Sequence, residues 1–408
     1  MKTCSLVPKN LSILIAACAA ISPLAQADPY RVDIRQENGK WATYQAGVKK
    51  SEYLNLHYAV QLAHTHLTTA RTSSQKGMVV VSGAGATTNI YGTGTTDLRD
   101  VTNVIYDFTY FRVKPQASGA CIKATRCHNM ELRNFMATNE NGWGFLLHFV
   151  DSQNVTINNL DLLGISGPFG VRMDGTSSTA PMTNPRFYGT INIKGTGAGR
   201  HGIETMHVKD FYMGTTITAR DMGGCAILFN HTNGGYIQAM DVLNYGIGSP
   251  YAAFRLANQT TGNVRLTYFK ATNGNRGLTT LESTSQNLTV DRFEITQTGF
   301  FYNTDNTVFG GSGEGIRLID GTKTVLGGWN RRSWVKGSAA AGLAVYGGAG
   351  AVELINTEIS GSPNGLGILL ESGCQTTLRS CLSTNNGNGS RNRAGSNTVV
   401  ENSSIDWR

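Results

Sequence analysis

Gly170-Val171-Arg172-Met173, Gly202-Ile203-Glu204-Thr205 and Ala226-Ile227-Leu228-Phe229 carry one pattern three times: a small residue, a large apolar residue, an outward residue, an inward residue. The pattern is also read at Gly144-Phe145-Leu146-Leu147, Ala253-Phe254-Arg255-Leu256, Gly277-Leu278-Thr279-Thr280 and Gly315-Ile316-Arg317-Leu318. It ends with Gly342-Leu343-Ala344-Val345 and Gly367-Ile368-Leu369-Leu370. Successive copies stand 24 to 38 residues apart. A second motif lies between them, as Asn154-Val155-Thr156-Ile157, Asn263-Val264-Arg265-Leu266 and Asn287-Leu288-Thr289-Val290, with weaker copies at Asn129 and Gly234. Period-two alternation means strands. Two or three short strands cannot bury a face alone, but stacked copies share one continuous core. The repeat length, the alternation and the lack of helical segments predict an all-β fold, a parallel β-helix. The leucine-rich-repeat pattern is absent.

Composition agrees. Glycine is 49 of 408 residues, against a usual share of about 7%. No G-X-Y period accompanies it, which excludes collagen, and the 15% charged residues argue against a coiled coil. Many corners need many Gly and Asn residues, because left-handed backbone costs them little.

At the N-terminus, Lys2 and Lys9 precede an apolar stretch from Leu11 to Ile21 and then Ala25-Gln26-Ala27. This reads as a secretory signal, residues 1–27, too short to span a bilayer. Ile15-Ala16-Ala17-Cys18 offers a lipoprotein alternative. The expected location is secreted or periplasmic, with no transmembrane segment. Removing the signal lowers the formal charge from +8 to +6. That suits an anionic partner such as an acidic polysaccharide, and equally an ordinary solubility charge. No Lys/Arg run exceeds two residues, so nucleic acid is not expected. Export permits disulfides, and Cys121 with Cys127 and Cys374 with Cys381 are the natural local pairs. Cys225 is left over and reads as a small packing residue.

Ser51 can N-cap a helix running to about Thr68, an expected end cap for the solenoid. The expected division is therefore signal 1–27, N-terminal segment and capping helix 28–77, and β-helix domain 78–408. Met78-Val79-Val80-Val81 reads as its first strand. With these elements the chain, over roughly residues 50–405, resembles the pectate-lyase-like superfamily of right-handed parallel β-helices. The resemblance implies that fold. It implies no single activity, because the superfamily holds lyases, hydrolases, epimerases, esterases and adhesins.

Equivalent positions of successive rungs stack about 4.8 Å apart, so columns can be read from the sequence. One outward column runs Leu146, Arg172, Glu204, Leu228, Arg255, Thr279, Arg317, Ala344 and Leu369. The next runs His148, Asp174, Met206, Asn230, Ala257, Leu281, Ile319, Tyr346 and Glu371. Arg172, Arg200, Arg255, Arg276 and Arg317 form an expected electropositive stripe around His201 and Glu204. Asp174 and Asn230 lie beside it, and Trp143 and Tyr346 flank it as sugar-stacking platforms. The primary reading is a polysaccharide lyase acting on a uronic-acid polymer by β-elimination. Arg255 and Arg276 neutralise the carboxylate, His201 is the base, and Glu204 orients it or binds sugar hydroxyls, with Lys270 a spare base. The runner-up is a glycoside hydrolase with Glu204 and Asp174 as its carboxyl pair. A non-catalytic carbohydrate-binding or adhesin β-helix is the third reading. No metal site or cofactor is evident: the acid-rich calcium cluster of many pectate lyases is not found, so calcium is possible but not indicated. The oligomeric state is unreadable.

Overall fold

The computed structural model describes residues 30–68, 71–72, 74–82, 89–92, 94–109, 112–115, 120–138, 145–197, 201–247, 251–282, 284–302, 308–310 and 313–408. The rung motifs become the strands of a 12-stranded parallel sheet, here the site sheet. Its strands stack in chain order from Thr96–Arg99 to Arg391–Asn392. The remaining strands of each rung build a broad second sheet. The result is a parallel β-solenoid of about 11 turns.

The small residue of the motif has a specific task. A Cβ on Gly202 would lie 2.6 Å from the Ala226 carbonyl oxygen, and one on Gly277 would lie 2.6 Å from that of Gly315. The strand bends here, and both the small residue and the apolar residue after it face inward. The residue before the bend therefore faces out, which simple alternation does not foresee. The inward apolar positions are fully buried: Val171, Ile203, Ile227 and Phe254 are all 0% exposed. Phe187, Phe211, Phe229 and Phe254 pack ring on ring through successive layers, with centroids 5.0 to 5.4 Å apart.

Asn and Asp hold most of the left-handed corners that glycine does not. Asn103, Asn129, Asn154 and Asn184 all have φ between 53 and 56°. Their side chains also pair up the stack, Asn129 Nδ2 to Asn103 Oδ1 at 3.0 Å and Asn184 Nδ2 to Asn154 Oδ1 at 3.1 Å. An amide that both donates and accepts can repeat such a bond at every rung.

The N-terminal segment differs from expectation. Ser51 lies in a strand, Val48–Tyr53, and the helix is shorter, Leu56–Ala63, with Asn55 at its N-cap. Strand Arg31–Glu37 pairs in parallel with Gly77–Ser82, so strands, and not helix, fill most of this region. The buried side of the helix, Leu56, Ala59, Val60 and Ala63, joins the common core.

The expected disulfides do not form: Cys121, Cys127, Cys225, Cys374 and Cys381 are all buried free thiols. The members of each local pair flank one strand, Ile122–Thr125 or Gln375–Arg379, with the second just past a left-handed corner at Arg126 or Ser380, on the order of 15–20 Å apart. A disulfide needs Cα atoms within about 7 Å. Cys127 and Cys381 instead donate to the Leu98 and Leu354 carbonyl oxygens at 3.6 and 3.3 Å.

Candidate active site

Register fixes which side chains share the outward columns. His148 pairs with Arg172, Arg172 with Glu204, Glu204 with Leu228, and Leu228 with Arg255. The rung at Phe145–Val150 is thus offset by two residues from the sequence reading. Leu146 takes the small-residue position and is buried, 1% exposed, while His148 joins the Arg172 column. Val150, not His148, aligns with Asp174. Aligning Leu147 and Phe149 with Val171 and Met173 as the two inward residues would have found His148; the glycine at 144 drew the motif to the wrong place.

The centre of the face is a five-residue network of His148, Arg172, Asp174, Glu204 and Asn230. Arg172 Nε donates to Asp174 Oδ1 at 2.6 Å, and its Nη1 lies 2.5 Å from Glu204 Oε1. His148 Nε2 donates to Asp174 Oδ2 at 2.7 Å. Asn230 Nδ2 donates to Glu204 Oε1 at 2.9 Å, and Asn258 supports Asn230 from the next corner. Both oxygens of Asp174 are therefore engaged in hydrogen bonds. Glu204 is 4% exposed, and burial holds its carboxyl above the ordinary value. The Asp174 charge adds to that rise; Arg172 and Asn230 oppose it without cancelling it. Both contacts of Glu204 fall on Oε1, so Oε2 is the oxygen left to carry a proton.

An aromatic row runs alongside. Phe145 stacks on His148 and on Phe169, at 4.8 and 5.3 Å, and Phe169 stacks on His201 at 5.7 Å. Phe169 also lies under the Arg172 guanidinium at 5.0 Å. His201 is 3% exposed, and its Nδ1 accepts from the Cys225 backbone N–H at 3.0 Å. A neutral imidazole in that arrangement carries its proton on Nε2. Tyr251 closes the other side of the ring, edge-on at 4.8 Å. Burial pushes the Cys225 thiol up to about 12, which suits a packing residue and not a nucleophile.

The other described arginines of the stripe are each paired. Arg255 Nη2 donates to Glu282 Oε1 at 2.9 Å, with its guanidinium 5.3 Å from the Tyr251 ring. Arg276 Nε donates to Glu314 Oε2 at 2.6 Å, and Arg317 lies 3.8 Å from the same carboxylate. Arg317 covers the Tyr346 ring at 5.5 Å. Among the described residues each arginine of the expected positive stripe therefore has a carboxyl partner, drawn from Asp174, Glu204, Glu282 and Glu314. The structure brings Arg172, Asp174, Glu204 and Asn230 together and leaves Arg276, Arg317 and Tyr346 three, four and five rungs beyond Glu204, roughly 14 to 24 Å away. Lys270 lies on the broad sheet between Asp241 and Glu294, away from this face. Arg200 and Trp143 lie outside the described residues. His148, Tyr251, Glu282 and Glu314 are the partners that the sequence reading did not assign.

Both long steps of the repeat border this sheet. Asp174 and Met182 are eight residues apart, where their register partners Met206 and Val208 are two apart, so the surplus follows Asp174 directly. Before Glu314 the extra length contains a hairpin, Phe300–Tyr302 with Val308–Gly310. Among the described residues no three His, Cys, Asp or Glu side chains are grouped to hold a metal ion. No helix there is long and apolar enough to cross a membrane.

No family profile and no curated protein matches the sequence. Among solved structures, the chain is similar to the catalytic domain of a GH87 alpha-1,3-glucanase in complex with nigerose. The identity is 13% and the TM-score 0.57, over 93% of this chain and 70% of that one. A variant of a GH87 alpha-1,3-glucanase catalytic domain, in complex with tetrasaccharides, overlays at a TM-score of 0.41. At this identity the first likeness establishes a shared β-helical fold.

Proposed function

We propose that the protein is a carbohydrate-active enzyme, a glycoside hydrolase whose acid and base are Glu204 and Asp174. One arrangement carries the reading. A single guanidinium, Arg172, joins two carboxyls in opposite surroundings: Asp174, held as an acceptor on both oxygens, and Glu204, buried and raised. A buried, raised carboxyl suits a proton donor, and a neighbouring carboxyl held by two donors suits a positioned base. Glu204 Oε2 delivers a proton to the glycosidic oxygen as the C–O bond breaks. Asp174 takes the proton of an attacking water or adds to the sugar carbon itself. His148 holds Asp174 in place, and Asn230 does the same for Glu204.

The lyase alternative needs unpaired cations and a basic nitrogen. Arg255 and Arg276 already neutralise Glu282 and Glu314, and the Nδ1 of His201 is occupied by the Cys225 N–H. The pairing of each described arginine with a carboxyl favours a neutral polysaccharide over a polyanion. An α-glucan is the first substrate to try, since a protein of this fold acts on one. The exported location expected from residues 1–27 belongs to the same proposal.

Glu204→Gln and Asp174→Asn test the assignment. Each is expected to lower turnover of the responsive glycan by about 10²–10⁴-fold, the usual contribution of a positioned acid or base. Circular dichroism is expected to match the wild type. Near-normal turnover in either variant would contradict the assignment.

A further inference from the structure

Trp329 stands apart from every other exposed apolar side chain. The others among the described residues, Val48, Leu54, Tyr58, Leu62, Val399, Val400 and Trp407, belong to the two ends of the chain. Trp329 is 62% exposed on a late rung of the broad sheet. It is there because that rung is longer than its neighbours. Six residues separate Leu326 from Ser333, whereas two separate their partners Leu354 and Thr357 in the next rung. The rung before is equally short between Val290 and Phe293. The four-residue insertion makes a tight turn with a bridge between Gly328 and Arg331. At its start, Gly327 has φ +84°, and a Cβ there would lie 2.2 Å from the Ile355 carbonyl oxygen. Asn356 Nδ2 donates to the Gly328 and Trp329 carbonyl oxygens at 3.3 and 3.4 Å. The indole is thus displayed on a tethered turn.

Beneath it runs a groove of about 630 Å³, within the size range of small-molecule sites. Its floor is the Arg292 guanidinium, 5.2 Å from the Tyr268 ring and 5.8 Å from the Trp334 ring. Its wall is the Arg265–Asp291 pair, with nitrogen and oxygen 2.8 Å apart. A regular solenoid needs neither the insertion nor the exposed indole, and insertions on one rung mark a binding face. Arg331 also lines the groove, and Arg292 pairs with Glu294. A flat apolar ring beside fork donors and a carboxylate matches a pyranose, which offers an apolar ring face edged by hydroxyls.

We propose that this groove is a second glycan-binding site, which holds a neutral polysaccharide by stacking a sugar on Trp329 while Arg265 and Asp291 bond its hydroxyls. The choice of glycan rests on the polysaccharide reading above; the site is separate from the face that carries Glu204. It would tether the protein to an insoluble substrate without taking part in bond cleavage.

The test is depletion binding of the full chain to insoluble α-1,3-glucan, cellulose and chitin, for wild type, Trp329→Ala, Asp291→Ala and Glu204→Gln. The expected result is retention of the wild type and of Glu204→Gln on at least one of them. Trp329→Ala should bind about ten-fold more weakly there, with unchanged turnover of soluble oligosaccharides. Binding by Trp329→Ala and Asp291→Ala at wild-type strength would overturn the site, as would retention of no protein on any of the three. Trp329-dependent binding by a wild type that cleaves nothing would keep this site and sink the hydrolase reading.

Discussion

At the scale of single residues, Glu204 carries the account. Its carboxyl is raised by burial, so it keeps its proton to a higher pH than an exposed glutamate. The proposed acid is active only while protonated, so turnover is expected to fall as pH rises through that raised value. A profile of kcat/KM against pH would show this alkaline limb above the usual carboxylate range. The same shift has a stability sign. A carboxyl whose folded value is raised contributes stability below its unfolded value, about 4.3, and loses it as pH rises through the folded value. Glu204→Gln removes that loss, so its Tm relative to wild type is expected to climb as pH rises above the unfolded value of about 4.3. Arg172→Ala works the other way: it strips the buried Glu204 of its cation, at a cost of about 3–5 kcal/mol measurable by denaturant unfolding. Much of this was legible in the residues themselves. Arg172, Asp174, Glu204 and Asn230 stand in adjacent columns because parity and register place them there. The partners of the remaining arginines were not legible. Glu282 sits at a left-handed corner with φ 66°, and Glu314 and Arg276 precede the bend. At both kinds of position alternation loses its meaning.

At the scale of elements, the rung is defined by its corners. Asn129 combines φ 53° with a side-chain bond to Asn103. Alanine there would lose that hydrogen bond, about 1 kcal/mol, and force an unfavourable left-handed conformation, about 1–2 kcal/mol. Asn129→Ala is therefore expected to lower stability by about 2–3 kcal/mol in denaturant unfolding, and Asn129→Gly by less. The glycine-rich composition pointed to corners, but some of the glycine, as at Gly202 and Gly277, serves the bend of the site-sheet strands, where a neighbouring carbonyl leaves no room for a Cβ. That double use is why the motif could be shifted by two residues at Phe145–Val150 without any visible fault in its pattern.

At the scale of the whole molecule, one continuous core ties the rungs together, and its ionisation is spread along the length. His64, His66 and His207 are all held below the ordinary histidine value, chiefly by burial. A histidine lowered in this way contributes stability above its unfolded value and loses it as pH falls through about 6.5 toward the folded value. Wild-type Tm is expected to drop over that interval, and His207→Asn, which tolerates the same φ of 52°, should drop less. The outer face is equally collective: each described arginine of the site sheet's central rungs meets a carboxyl within one rung, and this pairing turns the functional reading from a polyanion lyase toward a hydrolase of neutral glycan. The most direct measurement is incubation of the wild-type protein with neutral glycans, α-1,3-glucan first, and with polyuronides, following new reducing ends and ultraviolet absorbance together. The account predicts new reducing ends from a neutral glycan with no absorbance of an unsaturated uronate. That absorbance rising on a polyuronide, with the neutral glycans untouched, would contradict it.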